Sequence, residues 1–188
     1  MLALQGAFRE HAEVLDALGA DVTEVRVPAH LSGVDALFLP GGESTTITKL
    51  LDSSGLAELL RARIADGLAV FGTCAGLILL ANRVEDEHGD SYPGALEVID
   101  CVVRRNAYGR QRESFEATLA VEGLDGAFPG VFIRSPVVAS VGGNVEVLAT
   151  HDDRPVLVRQ GRVWAATFHP ELSGDLRLHQ RFLSEVTT

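Results

Sequence analysis

Cys74, one of two cysteines in a chain of 188 residues, stands between glycines in Gly72-Thr73-Cys74-Ala75-Gly76. The apolar run Leu68-Ala69-Val70-Phe71 enters this turn and Leu77-Ile78-Leu79-Leu80 leaves it. A strand that turns sharply into a helix is the setting of the G-x-S-x-G nucleophile elbow, here with cysteine in the place of serine. The glycines have a physical reason, because the nucleophile's backbone is strained and its close neighbours must lack a Cβ. A helix N-terminus aimed at the sulfur stabilises negative charge there. The backbone N–H of Ala75 is then placed to stabilise an oxyanion. A small buried cysteine in a core turn would read the same way, so the rest of the chain decides.

A nucleophilic cysteine needs a base, and the base needs an orienter. Phe168-His169-Pro170-Glu171 supplies both. In an extended segment residues i and i+2 point to the same side, so Glu171 can reach the imidazole of His169 and fix its tautomer while Nε2 faces the thiol. Cys74 and His169 are far apart in sequence, and only the fold can pair them. A third segment, Leu39-Pro40-Gly41-Gly42-Glu43-Ser44, ends a strand at Pro40 and follows it with tandem glycines and a helix start. Gly41 and Gly42 let the backbone turn N–H groups toward a ligand and add a second oxyanion donor. The peptide between them can flip at little steric cost, aiming either an N–H or a carbonyl at the oxyanion, so a partner could switch the site on. The segment lacks the G-x-x-x-x-G-K-[ST] spacing of a phosphate loop.

The elements that must position these residues read as an α/β alternation. "LALQ", "DVTEVRV", "VDALFLP" and "LAVFGT" are strand candidates, and "FREHAEVLDALGA", residues 44–67 and "AGLILLANRV" are helix candidates. Ser44 is a candidate N-cap, with Gly19 and Gly67 as helix terminators. This rhythm predicts a mostly parallel central sheet with helices on its faces. From Leu96 onward, closely spaced strand candidates separated by turn residues predict an antiparallel extension, and "SGDLRLHQRFLSEV" closes the chain as a helix. Without repeat or linker, residues 1–188 read as one domain. The first strand reads as short.

Composition limits the partners. Hydrophobic residues make up 46% and charged residues 22%, with a net charge of −10. That is a folded globular composition, and its acidity argues against nucleic acid or an anionic membrane. No apolar run approaches the roughly 20 residues that span a bilayer, and the start lacks a basic leader. Two cysteines make neither a disulfide framework nor a metal site. The expectation is a cytoplasmic protein with reduced thiols.

Taken together and in this order, PGGES, GTCAG and FHPE resemble the class I (triad) glutamine amidotransferases. "LQGAFREH", "LPGGESTT", "FGTCAGLILLA", "RRNAYGRQRESFE" and "GVFIRSP" resemble more closely the family of glutaminase subunits of pyridoxal 5′-phosphate synthase, and the likeness runs the whole length of the chain. The resemblance implies a flavodoxin-like class I amidotransferase fold and hydrolysis of L-glutamine to glutamate and ammonia. It implies a barrel-shaped synthase partner of the PdxS type, in a large hetero-oligomer. The partner joins the ammonia with ribose 5-phosphate and glyceraldehyde 3-phosphate. It implies Cys74 as nucleophile, His169 as base and acid, and Glu171 as orienter. Gly42, Glu43, Ser44, Arg105, Ile133 and Arg134 would line the glutamine site. Arginine suits bidentate recognition of an α-carboxylate.

No cofactor is expected. His30, His88, His151 and His179 fall in polar contexts without ligand spacing, so no metal is assigned. Cys101 reads as a core filler, and His11 as a helix-face or partner-facing residue. Three rivals are weighed: the glutaminase subunit of another amidotransferase pathway, a DJ-1/PfpI-like cysteine hydrolase, and a non-catalytic regulatory subunit that kept the fold.

Overall fold

The computed structural model describes residues 1–86, 88–105 and 114–186. In chain order the elements are α1 (Phe8–Ala17), β1 (Ala36–Leu39), α2 (Ser44–Ser54), α3 (Leu56–Ala65), β2 (Ala69–Thr73), α4 (Ala75–Leu80), β3 (Ala81–Glu85), β4 (Ser91–Pro93) and β5 (Ile99–Arg104). The second half contributes β6 (Ser114–Ala120), β7 (Ala127–Ile133), β8 (Val137–Val141), β9 (Glu146–His151), β10 (Arg154–Gln160), β11 (Val163–Ala166) and α5 (Arg177–Val186).

The central sheet has the order β1-β2-β11-β10-β9. Its β1–β2 and β2–β11 ladders are parallel, and β11–β10 and β10–β9 are antiparallel. All five residues of β2 are buried, as expected of a strand covered on both faces. Alternation within each strand sorts the core into two layers. Leu37, Leu39 and Val70 face the layer formed with Ile47, Leu51, Leu60 and Leu80. Phe38, Phe71 and Trp164 face the other, with Leu15, Leu178 and Phe182 of α1 and α5. A second sheet, β4-β3-β5-β8, and the β6–β7 hairpin complete the described fold.

The parallel pairing positions the site. Thr73 ends β2 opposite Ala166 at the end of β11. Neighbouring parallel strands end on the same edge, so Cys74 and the segment carrying His169 emerge side by side although far apart in sequence. Ligand sites of open α/β sheets lie at such carboxyl ends.

Several sequence expectations change. "LALQ" and "DVTEVRV" form one parallel bridge, Leu2 with Val25, rather than two strands. Leu2 also donates to the carbonyl of Phe38 at 2.9 Å, so the segment extends the sheet edge. The helix expected over 44–67 is two helices, because Gly55 takes a left-handed φ of 72° and ends the first. Glu43, not Ser44, caps α2, its carboxylate accepting from the N–H groups of Thr45 and Thr46. The helix after the elbow stops at Leu80, where Ala81 to Glu85 pair with β5 instead. Gly19 and Gly67 do follow the ends of α1 and α3, with φ of 75° and 99°.

Candidate active site

Cys74 adopts φ 51° and ψ −103°, a region an L-residue occupies only under constraint. The constraint is visible on both sides. The Cys74 N–H donates to the Ala166 carbonyl at 2.8 Å, and the Cys74 carbonyl accepts from Leu77 at 3.1 Å as α4 begins. A Cβ on Gly72 would lie 2.6 Å from Leu80 Cδ1 and 2.7 Å from the Gly76 carbonyl carbon, and one on Gly76 would lie 2.2 Å from the Leu39 oxygen. Both glycines are therefore demanded by packing, which the G-x-C-x-G spacing anticipated. Cys74 is 8% exposed and opens onto a pocket of about 420 Å³.

His169 follows β11 on a short extended segment tied to β7, its N–H donating to the Val131 carbonyl at 2.8 Å. Its Nδ1 lies 2.7 Å from Glu171 Oε1, and both side chains are buried. Burial works against a charged imidazole, but the hydrogen bonds and charges of Cys74 and Glu171 outweigh it and push His169 up to about 10. For Glu171, burial again opposes charge, and His11 and His169 overcome it to hold the carboxyl below its ordinary value. Sulfur, imidazole and carboxylate thus stand in series, with a cationic imidazole favoured beside the sulfur.

Every expected site residue except Glu171 lines the pocket; Glu171 lies behind His169. A Cβ on Gly41 would meet His169 Cε1 at 2.4 Å, so this glycine lets the loop close against the imidazole. The Gly41 carbonyl accepts from the Ala7 N–H at 2.9 Å. Glu43 accepts from Thr46 Oγ1 at 2.6 Å and from two backbone N–H groups. These bonds, the Thr46 hydroxyl first, outweigh a small burial effect and push its carboxyl down to about 2. Arg105 donates to Thr45 Oγ1 at 3.2 Å and to the Tyr92 hydroxyl at 3.1 Å, with Glu43 3.5 Å away. Arg134 is exposed, with φ 43°. The remainder of the "RNAYGRQ" block, residues 106–111, lies outside the described residues.

Sequence reasoning missed Gln5 as a pocket residue. Its Oε1 accepts from the Glu43 N–H at 2.8 Å, and it stands in the LQG block. It also misplaced two histidines. His11 and His179 are fully buried, not on the surface, and bonded to each other. Cys101 is buried in β5 as expected, and burial, with the charge of Asp100, pushes its thiol up to about 12. Among the described residues no group of His, Cys, Asp and Glu suits a metal ion, and no helix is long and apolar enough to cross a membrane.

The model of the SNO glutamine amidotransferase family matches residues 1–188. The chain belongs to this family. A relative named pyridoxal 5′-phosphate synthase subunit PdxT, from a Thermus thermophilus strain, is 56% identical over 186 residues, covering 97% of this chain and 94% of the relative. A crystal structure of a glutamine amidotransferase superposes with a TM-score of 0.93 at 54% identity, covering 100% of this chain and 97% of the other. PurLQS from Thermotoga maritima, at 16% identity and a TM-score of 0.70 over 99% of this chain and 96% of that one, shares the fold. The amidotransferase fold of the family is therefore that of this chain, with its parallel core and antiparallel extension.

Proposed function

We propose that the chain is the glutaminase of a pyridoxal 5′-phosphate synthase, with residues 1–188 as one catalytic domain. The observation that carries the reading is the Glu171–His169 hydrogen bond of 2.7 Å, with His169 and the elbow cysteine lining one open pocket. Cys74 Sγ adds to the side-chain amide carbon of glutamine. The N–H groups of Ala75 and of the Gly41–Gly42 loop stabilise the oxygen that gains charge. His169 then donates its proton to the departing nitrogen, and ammonia leaves a γ-glutamyl thioester on Cys74. His169 next takes a proton from water, whose oxygen attacks the thioester, and glutamate leaves as the thiol is restored. Glu171, accepting from Nδ1–H, holds the ring in one orientation throughout and fixes its tautomer when it is neutral. Arg105 and Arg134 at the rim suit the α-carboxylate of glutamine, and Glu43 suits its ammonium group. Ser44 and Ile133 complete the wall.

The relatives are named as subunits of a pyridoxal 5′-phosphate synthase, which supports a partner subunit; we read that partner as a PdxS-type acceptor of ammonia, within a hetero-oligomer in the cytoplasm. Control by that partner is supported by the Gly41–Gly42 peptide. Among the described residues its carbonyl accepts one hydrogen bond, from the Ala7 N–H, so reorientation costs about that bond, roughly 1 kcal/mol. The test is ammonia release from glutamine by the chain with and without the synthase. Strong stimulation is expected, and Gly42→Ala should blunt it more than it harms the fold. Full activity of the chain alone, equal to the complex at saturating glutamine, would refute the switch.

A further inference from the structure

Behind the Cys74–His169–Glu171 set lies a second layer of buried polar groups. His11, on the inner face of α1, places Nε2 at 2.9 Å from Thr73 Oγ1 and 3.2 Å from Glu171 Oε2. The first is a well-formed hydrogen bond. The second is a close polar approach to a carboxylate oxygen with no other partner among the described residues. On the opposite side of the ring, His11 Nδ1 lies 3.0 Å from His179 Nε2 on α5. His179 is packed among aromatic rings, stacked on Phe38 at 5.5 Å, and its Nδ1 has no partner among the described residues.

These contacts fix where the protons sit. A bare Nε2 on His11 would set a lone pair against the Glu171 carboxylate, so Nε2 carries the hydrogen. His11 Nδ1 is then the acceptor, and the hydrogen of the His11–His179 bond belongs to His179 Nε2. That leaves His179 Nδ1 bare, and it is the one nitrogen of the four without a partner among the described residues. The reverse arrangement would bury an unpaired N–H against aromatic rings, a costly defect. Burial works in the same direction, holding His11 below its ordinary value and His179 at about 3.

We propose that His11 is a positioning residue for the proposed glutaminase chemistry: a neutral Nε2–H imidazole, set in that tautomer by His179, that fixes the free oxygen of Glu171 against Thr73 at the base of the elbow. The proposal rests on the triad reading above. Glu171 has one oxygen on His169. The Nε2–H of His11, bonded to Thr73 Oγ1, sets its positive end 3.2 Å from the other oxygen, which favours one orientation of the carboxylate and ties it to the residue preceding Cys74. Base and nucleophile are thereby indexed to one ring.

The test has two arms. In the wild-type protein, ¹⁵N NMR of the histidine rings should show His11 and His179 as neutral Nε2–H tautomers from pH 8 down to pH 5. An Nδ1–H tautomer or a cation at either ring in that range would overturn the proposal. In the complex with the synthase, His11→Leu should lower kcat by roughly 10–100-fold, the range typical of lost outer-layer support, with KM little changed. His11→Gln, which returns a donor near Nε2, should recover most of it. Iodoacetamide alkylation of Cys74 should follow the same order. If the wild type releases no ammonia but alkylation still slows in His11→Leu and recovers in His11→Gln, the choice of glutamine has failed and the positioning role stands. If His11→Leu lowers the melting temperature while kcat and alkylation stay at wild-type values, His11 is a packing residue only.

Discussion

The floor and the rim of the pocket are built on opposite plans. At the floor and in the layer behind it, Thr73, His169, Glu171, His11 and His179 are buried and joined by contacts of 2.7–3.2 Å, with Cys74 buried beside them. On the rim, Glu43, Arg105 and Arg134 are partly or fully exposed, Glu43 bonded to the first turn of α2 and Arg105 to the hydroxyls of Thr45 and Tyr92. The difference teaches where each job is done. Bond-making needs groups that do not reorganise, and burial strengthens their fields. Recognition of a small zwitterion tolerates a screened, adjustable set of charges.

The comparison breaks first if a floor residue proves dispensable. His169→Asn should lower glutaminase kcat by about 10³-fold or more, since removal of a triad member costs on that order. Glu171→Gln should cost less, because the imidazole remains while its tautomer is less well held. A His169→Asn enzyme within tenfold of wild type would place the chemistry elsewhere. On the rim the effect should be smaller and of another kind. Arg105→Ala should raise KM by roughly tenfold, the worth of one charged hydrogen bond, with kcat within a few-fold. Arg105→Lys should rescue it in part, lacking the planar fork. A fall in kcat with unchanged KM would move Arg105 from recognition to the floor.

Stability against pH sharpens the same contrast. Folding raises His169 from about 6.5 to about 10. Its stabilising contribution is therefore complete below about pH 6.5 and is lost as pH rises through 10. The melting temperature of wild type relative to His169→Asn should fall between pH 7 and pH 10. A constant difference across that range would mean that the imidazole is not held as a cation. Cys101→Ala is expected to leave turnover unchanged, because a thiol pushed up to about 12 in the core is not ionised at neutral pH.

How much of this was legible in the sequence follows from how local each constraint is. The elbow glycines, the tandem glycines and the His169–Glu171 pair answer to backbone demands within a few residues, and a chain shows such demands directly. The capping role of Glu43 was misassigned because Ser44 is a common cap type, whereas the carboxylate one residue earlier reaches two N–H groups. His179 was misplaced although Leu178 and Phe182 mark the buried stripe of α5. It was grouped with the histidines in polar contexts. His11 carried a signal, since Leu15 shares its helix face and is also buried. Nothing local could join residues 11, 73, 171 and 179, which meet only because α1, β2, the segment after β11 and α5 converge.

The most direct measurement of the central claim is ammonia release from glutamine by wild type and by Cys74→Ala, each with the synthase present and with folding checked by melting temperature. The account predicts that Cys74→Ala folds and binds the synthase but loses nearly all turnover, about 10³-fold or more. Turnover near wild type from a folded Cys74→Ala protein would contradict it.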